Sequence, residues 1–201
     1  MAAPRATRTR SPLRELPVLV VVAFALALAV KALVVQAFFI PSGSMEPTLD
    51  AGDRVLVEKL GYRFGAPERG DVVVFERDVG DGARDASSWT RLTDSFRELF
   101  GFPTSGAQDY IKRVVAVAGE TVEAHDGALY VDGERADEPY LPPETPTATF
   151  NPIVVPANHV FVLGDNRSSS EDSRTFGPVA LDRIVGRAFV LVWPPGSFAG
   201  L

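Results

Sequence analysis

The chain has 201 residues, 46% of them hydrophobic, and a formal net charge of −6 at pH 7. It has no cysteine, which excludes thiol catalysis, Cys-based zinc sites and disulfides, and its two histidines, His125 and His159, lack surroundings that suggest a metal site. With Glu15 and the five cations ahead of residue 41 set aside, residues 41–201 carry 25 acids and 15 bases, and that balance of −10 argues against nucleic acid as a partner.

Residues 1–15 are basic, with Arg5, Arg8, Arg10 and Arg14 against the single acid Glu15. No residue from Pro17 to Val30 is charged or polar, and Lys31 and Gln36 are the only interruptions before Ile40. A helix from Leu16 to Val35 reaches the roughly 20 residues that a hydrocarbon core requires, with Lys31 near one end where its stem can snorkel. The segment 16–37 is therefore expected to be a transmembrane anchor. The arginines ahead of it keep the N-terminus in the cytoplasm and send residues 38–201 out. A cleaved secretory signal has a similar outline, but Phe38, Phe39 and Ile40 do not make a small-residue cleavage site.

Beyond the anchor the pattern is mostly β. Arg54–Glu58, Asp71–Phe75, Ile111–Val117, Val160–Leu163 and Ile184–Trp193 are short runs rich in β-branched residues. Asp126-Gly127 and Asp132-Gly133 are hairpin-turn signals, and they place a small β subdomain at about 120–158. Many short strands separated by Gly, Pro and Asp predict an antiparallel, coiled or barrel-like domain. Residues 78–109 read as an insertion. In it Trp89, Leu92, Phe96, Leu99 and Phe100 fall at helical spacing, between a Ser88 cap and a Gly101/Pro103 stop. Such a helix packs its stripe on the sheet or rests on lipid.

Three stretches carry chemistry. Pro41-Ser42-Gly43-Ser44-Met45-Glu46-Pro47-Thr48-Leu49 is a bent, hydroxyl-bearing run just past the apolar segment. Taken alone it is either a simple turn or a nucleophile in search of a base. The base has few candidates, because 17 of the 20 cationic residues are arginines, which stay protonated, and Lys59 and Lys112 are the lysines outside the membrane segment. In Tyr110-Ile111-Lys112-Arg113-Val114-Val115 strand alternation puts Lys112 and Val114 on one face. A lysine so placed is desolvated and more often neutral, unless it reaches past the sheet edge to water. The polar run Gly164 to Arg174 is a solvated loop or a buried hydrogen-bond network, and it lacks the ligand spacing of a calcium loop.

With an apolar segment ahead of them, these motifs resemble in content and order the bacterial type I signal peptidases, membrane-anchored serine proteases of the Ser-Lys class. The resemblance runs from about residue 17 to Trp193 and includes Gly52-Asp53-Arg54-Val55-Leu56-Val57-Glu58-Lys59. It implies Ser44 as nucleophile and Lys112 as general base, with the Ser42 hydroxyl joining the Ser44 amide in an oxyanion hole. By the same resemblance Ser170 orients the lysine and the Asp172–Arg174 pair supports the site. Phe38, Ile40, Met45, Leu49, Tyr110 and Ile111 are the implied lining of shallow substrate pockets. The implied substrates are secreted preproteins, cut after small residues at the first and third positions before the bond, by an enzyme with neither cofactor nor metal. The expected location is the bacterial cytoplasmic membrane, with lipid as a second partner and the chain a monomer. Ala116-Val117-Ala118-Gly119-Glu120 departs from the Gly, bulky residue, Pro, Gly, Asp of many family members. A self-cleaving repressor-type protease and a membrane-tethered, non-enzymatic β module are the rival readings.

Overall fold

The structure, a computed structural model, describes residues 17–24, 35–59, 65–77, 108–143, 145–194 and 196–201. Residues 17–24 are helical. Among the described residues no helix is long and apolar enough to cross a membrane. Lys31 and the rest of the apolar run at 25–34 lie outside the described residues, as does the helix expected at 88–100.

Among the described residues, twelve strands form two antiparallel sheets. The larger runs β1 (Val35–Phe39), β2 (Arg54–Glu58), β11 (Ile184–Trp193), β3 (Val72–Arg77), β4 (Gln108–Val117), β9 (His159–Leu163) and β10 (Val179–Ala180), with β12 (Ala199–Gly200) on β11. The smaller runs β7 (Glu134–Arg135), β6 (Ala128–Val131), β5 (Thr121–His125) and β8 (Phe150–Val154). The large sheet is an open path with ends at β1 and β10, and no pair of described strands closes it into a barrel.

The ends of the anchor and of the insertion differ from those read in the sequence. Val35, Gln36 and Ala37, placed at the end of the anchor, are strand residues paired with Glu58, Val57 and Leu56. An apolar, β-branched run suits helix or strand equally, and the open edge of β2 decides for strand. Gln108 and Asp109, placed in the insertion, already pair with Arg77 and Glu76.

Alternation explains how the sheet divides its core. Val72 and Val74 join Ile40, Met45, Leu49, Val55, Val57 and Ile111 on one face, while Val73 and Phe75 join Val114, Val160 and Val162 on the other. Strand β3 is thus buried on both sides, which its continuous run of apolar residues requires. A third cluster seals the small sheet onto the large one, with Val122, Ala124, Leu129 and Val131 against Ala116, Phe161 and Leu163. The β5–β6 and β6–β7 turns have positive φ at both residues of Asp126-Gly127 and Asp132-Gly133, as tight hairpin turns need. At the departure after β4, the Val117 N–H donates to the Glu120 carboxylate, so Glu120 closes the turn.

Polar latches also join the small sheet's loop to the segment after β9. Arg167, almost fully buried, donates to Glu138, to Thr147 Oγ1 at 2.6 Å and to the Gly164 carbonyl at 3.2 Å. Replacing Glu138 with alanine leaves that guanidinium buried without its counter-charge, a change that costs about 3–5 kcal/mol in comparable pairs. The Glu138→Ala variant should therefore show a sharply lower urea midpoint. A midpoint within the error of the parent's would mean that water replaces the carboxylate freely.

Candidate active site

The Ser44 run is the loop of the β1–β2 hairpin. Its base is closed by Ile40 N–H to the Asp53 carbonyl at 2.9 Å and Gly52 N–H to the Ile40 carbonyl at 2.8 Å, with Gly52 at φ +105°. Met45 and Leu49 plug the loop into the core. Both have 0% exposure, so they back the site from beneath and present no surface to a substrate, unlike the pocket lining expected of them. Of the other expected lining residues, Ile40 and Ile111 are buried, while Phe38 and Tyr110 are half-buried.

Ser44 and Lys112 are 68 residues apart and meet at 2.7 Å, Nζ donating to Oγ. Nζ also donates to the Ile111 carbonyl at 2.8 Å. Lys112 is 3% exposed, and its strand partner across β3 is Val73 of the apolar face. Burial pushes the amine down from 10.5 to about 8, and the acidic groups of Asp172, Asp165 and Glu171 oppose but do not cancel that effect. Lys59, the other lysine outside the apolar segment, follows β2 and makes no contact with this pair.

Lys112 and Arg113 leave β4 in opposite directions, yet both grip the same loop. Arg113 pairs with Asp165 (Nη2 to Oδ2, 2.7 Å; Nε to Oδ1, 2.9 Å) and Thr48 Oγ1 donates to the same carboxylate at 2.6 Å. The Arg113 guanidinium also lies 3.9 Å over the Tyr140 ring. The Thr48–Arg113–Asp165 network, which sequence reasoning did not assign, locks the hairpin loop to β4 and to the segment after β9.

That segment runs from Gly164 to the short helix α1 (Ser173–Phe176). Asp172 caps α1 and pairs with Arg174 (Nε to Oδ1, 2.8 Å; Nη2 to Oδ2, 2.7 Å), and its Oδ2 accepts the Gly164 N–H at 3.0 Å. Burial pushes the Asp172 carboxyl up, but the bonds from Arg174 and Gly164 outweigh it and hold the group below its usual range. Ser170 differs from its expected place. Its hydroxyl is buried and makes no well-formed hydrogen bond, to Lys112 or to any other group, although it faces Asp172 closely enough to favour the carboxylate. The lysine's second acceptor is the Ile111 carbonyl instead. Ser42 is exposed, and its Oγ donates to Ser44 Oγ over a long 3.4 Å.

Gly164 and Asn166 are further site residues that the sequence did not single out. A Cβ on Gly164 would lie 2.1 Å from Ser170 Oγ and 2.4 Å from the Ser44 carbonyl oxygen. Asn166 donates twice to the hairpin loop, from its backbone N–H to the Ser44 carbonyl at 3.1 Å and from Nδ2 to the Gly43 carbonyl at 3.0 Å. Only the density of polar residues in 164–174 hinted at such a network.

The arrangement is a hydroxyl beside a desolvated amine, with amide and hydroxyl donors close by, on a scaffold locked from three sides. A family model for signal peptidase, peptidase S26, matches residues 13–193. Signal peptidase I of Mycobacterium tuberculosis is 38% identical over 94% of this chain and 75% of its own length. Signal peptidase IB of Staphylococcus aureus is 33% identical over 94% of both. A crystal structure of a signal peptidase I from Enterococcus faecalis is 28% identical, with a TM-score of 0.42 over 61% of this chain and 97% of that one. The span of the family match and the identity to these relatives show that the chain belongs to the signal peptidase family S26, among the type I signal peptidases.

Proposed function

We propose that Ser44 and Lys112 carry out the removal of signal peptides from secreted preproteins by this enzyme. The observation behind this reading is the 2.7 Å contact between a buried amine and the Ser44 hydroxyl. Neutral Lys112 takes the Ser44 proton as Oγ attacks the scissile carbonyl. The oxyanion that forms is met by the Ser44 N–H and by the Ser42 hydroxyl, which turns from Ser44 Oγ toward it. Lys112 then protonates the leaving amine as the C–N bond breaks, and water, activated by the same amine, hydrolyses the acyl-enzyme. Asp172, held charged by Arg174, fixes the Gly164 amide and the turn behind the lysine.

The half-buried Phe38 and Tyr110 give the substrate an apolar, shallow seat, backed by the buried Ile40 and Ile111, which suits small residues at the first and third positions before the cut. The apolar segment from residue 16 to the start of β1 at Val35 serves as the membrane anchor, with the catalytic domain outside the cytoplasm. Its support is the helical stretch 17–24, whose Val18 to Val22 and Phe24 are 59–66% exposed, a surface suited to lipid. Phe39, Arg54 and Trp193 form one row across β1, β2 and β11, with Phe39 and Trp193 about half exposed. That rim lets the domain rest on the outer leaflet beside the hairpin loop. Cleavage of a purified preprotein should fall to background in Ser44→Ala. Cleavage that survives this change in a folded protein would refute the assignment.

A further inference from the structure

We propose that Asn166 is a positioning residue for the oxyanion hole, acting through the peptide unit that joins Gly43 to Ser44. This rests on the reading of Ser44 given above. The amide N–H of Ser44 and the carbonyl of Gly43 belong to one rigid plane. Asn166 Nδ2 donates to that carbonyl at 3.0 Å, and the Asn166 N–H donates to the next carbonyl, that of Ser44, at 3.1 Å. Two consecutive carbonyls of the loop are thereby pinned by one residue 122 positions beyond Ser44 in the chain. Pinning both sets the direction in which the Ser44 N–H points. A donor on the Gly43 oxygen also polarises the shared amide and makes its N–H a stronger donor.

The side chain is itself held. Ser168 Oγ donates to Asn166 Oδ1 at 3.3 Å, which orients the amide with its nitrogen toward Gly43. The Gly43 carbonyl also accepts the Glu46 N–H at 3.2 Å, so removing Asn166 Nδ2 does not leave that oxygen without a partner. The loop therefore keeps its fold when Asn166 is truncated, while the plane loses its second constraint.

The test compares Asn166→Ala with the parent. Outright loss of an oxyanion donor costs about 10²–10³ in kcat, so loss of a group that aims the donor should cost about 10- to 100-fold, with KM changed less than about threefold. A peptide aldehyde with small residues at its first and third positions adds to Ser44 and places an oxyanion in the same hole. Its affinity should weaken by the same factor as kcat/KM, whereas the matching peptide alcohol, which forms no oxyanion, should bind the variant and the parent alike. The acid limb of the pH profile should stay where it is in the parent. A kcat within twofold of the parent, equal weakening of aldehyde and alcohol, or a displaced acid limb would each overturn the proposal. Ser44→Ala is assayed alongside. If it still cleaves, the reading of Ser44 has failed. If it is inert while Asn166→Ala matches the parent, only the role of Asn166 has failed.

Discussion

Replacing Lys112 with methionine should abolish cleavage and yet make the folded domain more stable at pH 7. The two effects share a cause. The lysine is 3% exposed and its amine is pushed from 10.5 to about 8, chiefly by burial. At about 1.4 kcal/mol per pH unit, holding the charged form in that position costs about 3 kcal/mol. The sign follows from proton uptake. Between about pH 8 and 10.5 the unfolded chain keeps the proton that the folded chain has released, so the parent's stability rises with pH across that window. Below pH 8 both states are charged and the whole cost is present. Methionine has a similar length and no charge, but it leaves the Ser44 hydroxyl and the Ile111 carbonyl without their donor, a loss of about 1–2 kcal/mol. A net gain of about 1–2 kcal/mol at pH 7 should therefore shrink and reverse by pH 10, as read by urea denaturation at the two pH values. In the parent, kcat/KM should climb about tenfold per pH unit up to about pH 8 and then level, because in the proposed dyad only the neutral amine accepts the serine proton. Activity that is flat from pH 6 to 9, or a variant whose stability difference ignores pH, would contradict this account of Lys112.

Gly164→Ala should lower kcat about 100-fold or more and destabilise the domain by about 1–3 kcal/mol. The new methyl would sit 2.1 Å from Ser170 Oγ, 2.5 Å from Ser170 Cβ and 2.4 Å from the Ser44 carbonyl oxygen. The last of these is backbone and cannot swing aside. Relief must come from moving the Ser44 turn or the 164–170 segment, and each carries part of the site: the proposed nucleophile in one case, Asp165 and Asn166 in the other. A shift on the order of 1 Å is enough for a loss of this size, since attack depends on near-contact geometry. Steady-state kinetics and the urea midpoint check the two halves separately. Parental activity with a lowered midpoint would mean that the strain is absorbed on the Ser170 side alone.

Much of the sheet was legible because it is written locally. Arg54–Glu58 and Ile184–Trp193 are strands over the residues that their β-branched runs marked, and the Asp-Gly pairs form the turns their chemistry requires. The pairing of Ser44 with Lys112 was legible only through the order of motifs, because no local pattern links residues so far apart. Three features were not legible. Val35–Phe39 has a composition that fits helix or strand, and its state depends on β2 lying beside it. Met45 and Leu49 look like pocket residues beside a nucleophile, but the hairpin loop turns them into the core. The clamp of Asn166 and the latch of Arg167 on Glu138 join segments without any repeating signal, so their partners emerge only when the sheets are assembled.

The position of β11 between β2 and β3 has a kinetic meaning. Residues 54–58 and 72–75 are close in the chain, yet in the large sheet each pairs with 184–193 between them. The sheet that carries Ser44 and Lys112 is thus stitched by its late-made strand, and its pairings are dominated by long sequence separations. Such topologies fold in milliseconds to seconds, because loop closure is completed before the distant contacts reward it. During synthesis a chain made as far as β4 has no partner to lay β2 beside β3, so it holds Ser44 and Lys112 without a platform that joins them. Competence to cut then arrives late in assembly, with the docking of one strand.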